Sequence, residues 1–397
     1  MSDLKTIEKE KADAIFNSLK KKFDGLQSIG LFSGKAGLVL SFFEYAKTHN
    51  EFCSNEEIIE YMQICIDQLQ ELDLCSPTFC SGIAGIAYVL RCLDKDNVFS
   101  DISDVLTTID DFLEVHCRKL IDKNDFDFLH GATGIIFYFS SFPNTNKEIV
   151  IRKYIKSLEG VAICKEDIIY LISNLYPNQT RGINLGLSHG ISAITTVLLR
   201  IMLQGIETES SKNLIIGFVN FILNVERNPQ MYGSYFPSWI TENTFSDEKS
   251  RLAWCYGDLG IAVCLFNCGK YLNKKKLIEK SISIFEYSAK NRRSLLDNYV
   301  IDGAICHGTI GIAYIFYYMY KETNNPVFKS TANYWVEKTI EIANDKEGIE
   351  GYRFFFGEQG WVNSCGLLEG VLGIGLGLDT ITNNRTSFLS NILLLKV

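Results

Sequence analysis

Three side chains stand out by type and register as a set able to hold a metal: Cys255, Cys306 and His307. Two thiolates and one imidazole suit zinc, and they leave a fourth tetrahedral position for water or substrate. Their spacing is not that of a zinc finger, so the case rests on where they stand. Cys255 lies two residues before Gly257, and Cys306-His307 directly precedes Gly308; both glycines open a repeated Gly-x-x-Gly unit. The residues immediately before the seven repeat glycines are Ser33, Ser81, His130, His189, Tyr256, His307 and Glu369, which include three of the five histidines. One position earlier stand Cys80, Cys255 and Cys306. If the loops ahead of the glycines share one end of the molecule, these side chains face a common centre. Cys80 has the register but lies three repeats from Cys255, so no ligand role is expected for it. The competing reading of Cys255 and Cys306 is two ordinary buried thiols.

The repeat itself says what must position these residues. Its copies are Gly34-Lys35-Ala36-Gly37, Gly82-Ile83-Ala84-Gly85, Gly131-Ala132-Thr133-Gly134, Gly190-Ile191-Ser192-Ala193, Gly257-Asp258-Leu259-Gly260, Gly308-Thr309-Ile310-Gly311 and Gly370-Val371-Leu372-Gly373. Seven copies in register are not chance, since glycine inside a helix costs roughly 1 kcal/mol against alanine. Each opens an almost wholly apolar segment, which predicts a helix buried on every side. Glycines three apart share a helical face, where another backbone or a substrate can approach closely. Between these segments lie amphipathic ones. Ser54 and Glu57 form a capping-box pattern ahead of a stripe at Ile59, Met62, Ile66 and Leu69. A second stripe is read at Val105, Ile109, Phe112, Leu113 and Leu120. Neither kind of helix can bury its apolar face alone, so the units must stack. The expected fold is all-α: a double-layered (α/α)7 toroid of seven inner and seven outer helices, one domain spanning 1–397. All six prolines fall outside the glycine motifs, as helix breakers should.

Composition narrows the function classes. At 47% hydrophobic and 22% charged, the 397 residues can fill a large core. A net charge of −8 argues against a general nucleic-acid-binding surface. No run approaches the roughly 18 apolar residues of a membrane span, and the N-terminus has no signal-peptide core. A cytoplasmic location is expected, and the twelve cysteines are read as reduced thiols. Several, such as Cys65 and Cys264, sit in apolar helical patterns and read as small core residues.

Trp254-Cys255-Tyr256-Gly257, Cys306-His307-Gly308 and Leu187-Ser188-His189-Gly190, set among seven glycine repeats, resemble the lanthionine synthetase C-like family, the cyclases of class I lanthipeptide biosynthesis. The resemblance covers essentially the whole chain. It implies an α/α toroid with a zinc ion that activates peptide cysteine thiols. These add to dehydroalanine or dehydrobutyrine in a dehydrated precursor peptide and form (methyl)lanthionine thioether rings. It implies Cys255, Cys306 and His307 as zinc ligands and His189 as the catalytic histidine. It also implies Asp127 as the aspartate four residues before the third repeat glycine, Arg251 four residues before the first zinc cysteine, and Tyr256 after that cysteine. Asp125 stands two residues from Asp127 and competes for that role, and His130 has no counterpart carried over from the family. The implied partners are the precursor with its leader, the cognate dehydratase and the peptide exporter, placing the chain at the edge of a membrane-associated modification complex.

The chemistry agrees. A peptide thiol titrates near pH 8.5, and bringing that below 7 needs roughly 2 kcal/mol of preferential thiolate binding. Addition to the dehydro residue leaves an enolate that needs charge stabilisation and a proton. His189 is a suitable acid, Asp127 suits orienting it, and Arg251 suits offsetting the charge. The plainer alternatives are a core histidine at 189 and a solvated arginine at 251. Other functions weighed are a glutathione-binding member of the same broad family, zinc-dependent prenylation of a thiol, and a non-enzymatic peptide scaffold with structural zinc. Prenylation would need a basic diphosphate site that the loop register lacks, and structural zinc normally has four protein ligands. The polar, aromatic-containing stretch 224–250, with Pro229, Gly233 and Pro237, is read as a lid or peptide-docking loop.

Overall fold

Every repeat glycine ends a loop, and the helix begins at the next residue. In the computed structural model, which describes residues 2–71, 76–143, 147–173, 182–241 and 248–397, the inner helices are Lys35–Ala46, Ile83–Lys95, Ala132–Ser141, Ile191–Leu203, Asp258–Tyr271, Thr309–Thr323 and Val371–Thr382. Alternating with them are Ser2–Lys22, Asn55–Glu71, Ser103–Asp122, Glu148–Val161, Thr208–Asn224, Lys275–Asn291 and Pro326–Glu341. Two one-turn α-helices, Pro229–Tyr232 and Leu389–Ile392, and two 3-10 turns, Leu296–Asn298 and Gly357–Gln359, complete the helical part among the described residues. The strands form three antiparallel pairs: Ile163–Lys165 with Ile168–Tyr170, Gly182–Asn184 with Trp239–Thr241, and Phe354–Phe355 with Trp361–Val362. In the second pair Asn184 is opposite Trp239.

The inner helices are buried all round, as their composition requires. In Ile83–Lys95 every residue from Ile83 to Leu90 is buried. Burying one such aliphatic or aromatic side chain stabilises by about 1.5–3 kcal/mol. The capping box also forms, with the Ser54 N–H donating to Glu57 at 2.9 Å and the Glu57 N–H donating to Ser54 Oγ at 3.2 Å. Met62 and Leu113 of the expected outer-helix stripes are buried, but most other members of the buried rows lie one position away from those expected. Ile59 and Val105 are exposed, and the buried rows are Ile58, Met62 and Cys65, and Leu106, Leu113, Cys117 and Ile121. The second row includes the carboxylate Asp110, buried because Arg91 pairs with it. A charge in the buried row displaced the pattern that apolar residues alone suggest.

The repeat glycines serve the loop ahead of them. A Cβ on Gly37, Gly85, Gly260, Gly311 or Gly373 would overlap the carbonyl of the residue six positions earlier. So the backbone that approaches the shared glycine face is the protein's own returning loop. A second regularity lies six residues before each first glycine, at Ser28, Ser76, Asp125, Asn184, Arg251, Asp302 and Ser364. Side-chain oxygens of Ser76, Asp125, Asn184, Asp302 and Ser364 accept the N–H two residues on, closing Asx or ST turns. The carbonyls of Ser28, Ser76, Asp125, Asp302 and Ser364 accept the first helical N–H at 2.8–3.1 Å. Short polar residues at this place therefore tie the loops of repeats two, three, six and seven to their helices.

The chain forms two compact units. The first contains Met1–Leu113, Ile301–Tyr314 and Ala332–Ser387. In it Ile15 and Phe16 of the first helix pack over Gly375 of the last inner helix. The second contains Glu114–Val300, Ile315–Thr331 and Phe388–Val397. There Leu277 and Ile278 pack over Gly269. The eleven described cysteines are free thiols, and Cys75 lies outside the described residues. No helix among the described residues is long and apolar enough to cross a membrane.

Candidate functional site

The loops of repeats three and four bring Asp127 and His189 together. His189 Nδ1 lies 2.6 Å from Asp127 Oδ2, while Asp127 Oδ1 accepts the N–H of His130 at 2.7 Å. An ionised carboxylate can only accept, so this bond puts the hydrogen on Nδ1 and leaves Nε2 for a reacting group. Asp125 does not reach His189; its Oδ1 accepts the Asp127 N–H at 3.4 Å, the turn bond of its loop. Burial pushes the Asp125 carboxyl up, and the neighbouring Asp127 charge adds to this. His130 stacks on His189 with ring centroids 5.8 Å apart. Burial pushes the His130 imidazole down; the Asp127 carboxylate opposes that shift and His189 adds to it. The ring of Tyr256 lies 6.2 Å from that of His189, tilted by 32°.

The repeat-five loop holds Cys255 by its neighbours. Trp254 is fully buried and donates from Nε1 to the Leu393 carbonyl at 2.7 Å, and Ser188 Oγ donates to the Cys255 carbonyl at 3.3 Å. Asn184 Nδ2 donates to Tyr256 Oη at 3.4 Å. Arg251 is half-buried, six residues before Gly257. In the repeat-six loop the Cys306 N–H donates to the Leu368 carbonyl at 3.0 Å. His307 has a carboxylate near each ring nitrogen, Asp302 Oδ2 at 4.0 Å from Nε2 and Glu369 Oε1 at 3.7 Å from Nδ1.

One ligand atom from each of Cys255, Cys306 and His307 lies within 4.8 Å of the others, so these residues form a group that could hold a metal ion. Cys255 and Cys306 are buried, and Cys80, half-buried, is not part of the group. The donor set fits zinc: two soft thiols and one imidazole. A pocket beside His189 and Asp127 is walled by Leu171, Ser173, Asn184 and Ile194. Residues 242–247 of the stretch 224–250 lie outside the described residues. Its base contains the one-turn helix Pro229–Tyr232 and the strand Trp239–Thr241, paired with the strand that ends at Asn184.

Sequence reading missed Asn184, Asp302 and the buried pair Asp258–Arg292. For the first two a signal existed, because both occupy the polar position six before a repeat glycine. Asp258 and Arg292 meet only through tertiary packing, at 3.0 Å.

Seven helices that begin directly after a repeat glycine, alternating with seven others, and a Cys-Cys-His group that could hold a metal define a class of helical repeat proteins with a metal-type site. The chain belongs to the lanthionine synthetase C-like family, whose sequence model matches residues 9–394. It is 25% identical over 395 residues to nisin biosynthesis protein NisC of Lactococcus lactis subsp. lactis, a match covering 91% of this chain and 87% of that one. Its fold is that of a solved nisin cyclase, with a TM-score of 0.79 at 20% identity over 98% of this chain and 97% of that chain. The expected fold class, an all-α toroid, is borne out by this likeness.

Proposed function

We propose that the chain is a zinc-dependent lanthipeptide cyclase acting on a dehydrated precursor peptide. The observation that best supports the zinc assignment is the close approach of Cys255, Cys306 and His307 in a chain of this family. Bound there, zinc would supply a Lewis acid that favours the thiolate form of a substrate cysteine. The thiolate sulfur attacks the β-carbon of dehydroalanine or dehydrobutyrine, a C–S bond forms, and the π pair moves toward the α-carbon and its carbonyl oxygen. His189 Nε2 then delivers a proton to the α-carbon, and the proton the thiol released to solvent replaces it on the ring, while Asp127 holds Nδ1 and stabilises the protonated ring before transfer. Arg251 offsets charge on the enolate oxygen. Tyr256, held by Asn184, offers a phenol beside His189.

The same reading makes all seven repeats one toroid domain in 1–397, with the stretch 224–250 as a peptide-docking loop. It places the enzyme in the cytoplasm, working with the dehydratase that supplies its substrate and the exporter that removes its product. Incubating the zinc-loaded chain with a dehydrated precursor carrying its leader tests the function. Rings should appear as loss of thiol reactivity at unchanged peptide mass. Thiols that persist with the cognate peptide while zinc stays bound would instead favour a scaffold with a structural metal.

A further inference from the structure

The repeat-five loop departs from its six counterparts. Its position six before the glycine carries Arg251, where the others carry serine, asparagine or aspartate. A guanidinium has no acceptor and cannot close an Asx or ST turn. Its glycine differs too. Gly257 has φ 87°, whereas Gly34, Gly82, Gly131, Gly190 and Gly370 lie between −112° and −167°. Beside this loop sits an ion pair almost wholly removed from water, with Asp258 0% and Arg292 1% exposed at the side chain. Arg292 Nη1 donates to Asp258 Oδ2 at 3.0 Å, Nε donates to Asn298 Oδ1 at 2.9 Å, and Nη2 donates to the Ser250 carbonyl. The Asn298 carbonyl accepts the Leu252 N–H at 3.2 Å. Asp258 also accepts the N–H groups of Tyr235 and Phe236, at 3.1 and 3.0 Å, on the stretch 224–250. The pair therefore grips the backbone on both sides of Arg251 and starts the helix directly after Gly257.

We infer that Asp258 and Arg292 are positioning residues that replace the missing turn in the loop carrying Arg251, Cys255 and Tyr256. With the hold supplied from outside the loop, position 251 need not be a turn-former and can carry a cation. A buried pair is a costly way to brace a loop, because both charges leave water. Its presence beside the one loop whose position six before the glycine carries no serine, asparagine or aspartate is what the inference rests on.

The test is a double-mutant cycle on the full chain, read by thermal melting and by cobalt(II) titration of the thiolate absorption band. Asp258→Asn keeps the shape but leaves the Arg292 charge unpaired. It should lower the Tm and, below the melt, weaken cobalt binding by roughly 10- to 100-fold, as loss of a positioning partner does. Arg251→Asn rebuilds an Asx acceptor in the loop. Added to Asp258→Asn it should recover part of the lost Tm, although on its own it should not raise the Tm. Independent sites would give additive shifts instead. Additivity, or an Asp258→Asn chain with unaltered Tm and cobalt affinity, overturns the inference. If Asp258→Asn does not fold, Arg292→Lys is the variant on which rescue is read, since a single ammonium cannot span Asp258, Asn298 and Ser250. The thermal cycle does not depend on the proposed activity: failure to bind cobalt in the unaltered chain would count against the zinc reading alone.

Discussion

The loops of repeats one and two share a backbone frame with those of repeats three and four, yet do nothing similar with it. In the first pair the side chains are satisfied at home. Ser28 Oγ and Ser33 Oγ are 3.1 Å apart, and Thr78 Oγ1 lies 3.2 Å from Ser76 Oγ and 3.4 Å from Ser81 Oγ. In the second pair a carboxylate and an imidazole reach from one loop to the next, Asp127 to His189. The position four before the glycine shows why: it is Gly30, Thr78, Gly186, Ala253, Ala304 and Gly366 in six repeats and Asp127 in one. The repeated frame is thus indifferent to chemistry. What each loop can do is decided by the reach and acidity of two or three side chains set on it.

The largest break in this comparison should come from the loops that carry thiols. Cys255→Ala, Cys306→Ala and His307→Ala should each lower zinc from about one per chain and abolish ring formation, as read by metal analysis and thiol titration. Cys80→Ala, in the same register, should keep its zinc. Full zinc occupancy in all three ligand variants would sink the assignment.

Removing the proton donor should be the next largest effect. His189→Asn should retain zinc and fold but slow cyclisation by roughly 10²- to 10⁴-fold, the usual range for a general acid. Asp127→Asn should slow it in the same direction, since the amide no longer stabilises a protonated ring. Asp125→Asn sharpens the contrast. Its amide oxygen can still close the turn, so rate and Tm should stay near those of the unaltered chain. A rate loss at Asp125 with none at Asp127 would reverse the two roles.

Smaller still, but informative about the frame, is the second glycine. A Cβ on Gly311 would overlap the carbonyl of Ile305, the residue directly before Cys306. Gly311→Ala should cost about 1–3 kcal/mol by overpacking, despite alanine's better helix propensity. An unchanged or raised Tm would mean that the loop has slack the packing does not show.

How much of this was legible beforehand follows from which interactions are local. The inner helices, their start points and the Cys-Cys-His register are properties of a repeat, and a repeat is visible in one chain. The choice between Asp125 and Asp127 was not visible as long as only the residues before the glycines were aligned. Aligning six positions back would have shown Asp125 among the turn-formers Ser76, Asn184, Asp302 and Ser364. In the helix Ser103–Asp122 the buried row takes in Asp110, which is buried with Arg91, a pairing between residues 19 apart that no periodicity encodes. Asp258 and Arg292 are 34 apart and joined only by the fold. Charges that end up inside are the residues a hydrophobic pattern misplaces.

The smallest expected effect tests the comparison from its quiet side. Ser81 stands directly before Gly82, in the register of His189 before Gly190, and its side chain is exposed. Its hydroxyl meets Thr78 Oγ1 at 3.4 Å, a long contact between two hydroxyls that water can replace. The turn of that loop is closed by Ser76 and its helix start by the Ser76 carbonyl, neither of which Ser81→Ala touches. The substitution should therefore change stability by no more than about 0.5 kcal/mol, as surface changes away from caps and cores do. It should also leave zinc content and cyclisation rate alone, because a serine hydroxyl there neither titrates near neutrality nor belongs to the Cys-Cys-His group. A tenfold loss of rate with normal zinc would show that the repeat-two loop touches the peptide. The line between framing loops and reacting loops would then have to be redrawn with Ser81 on the reacting side.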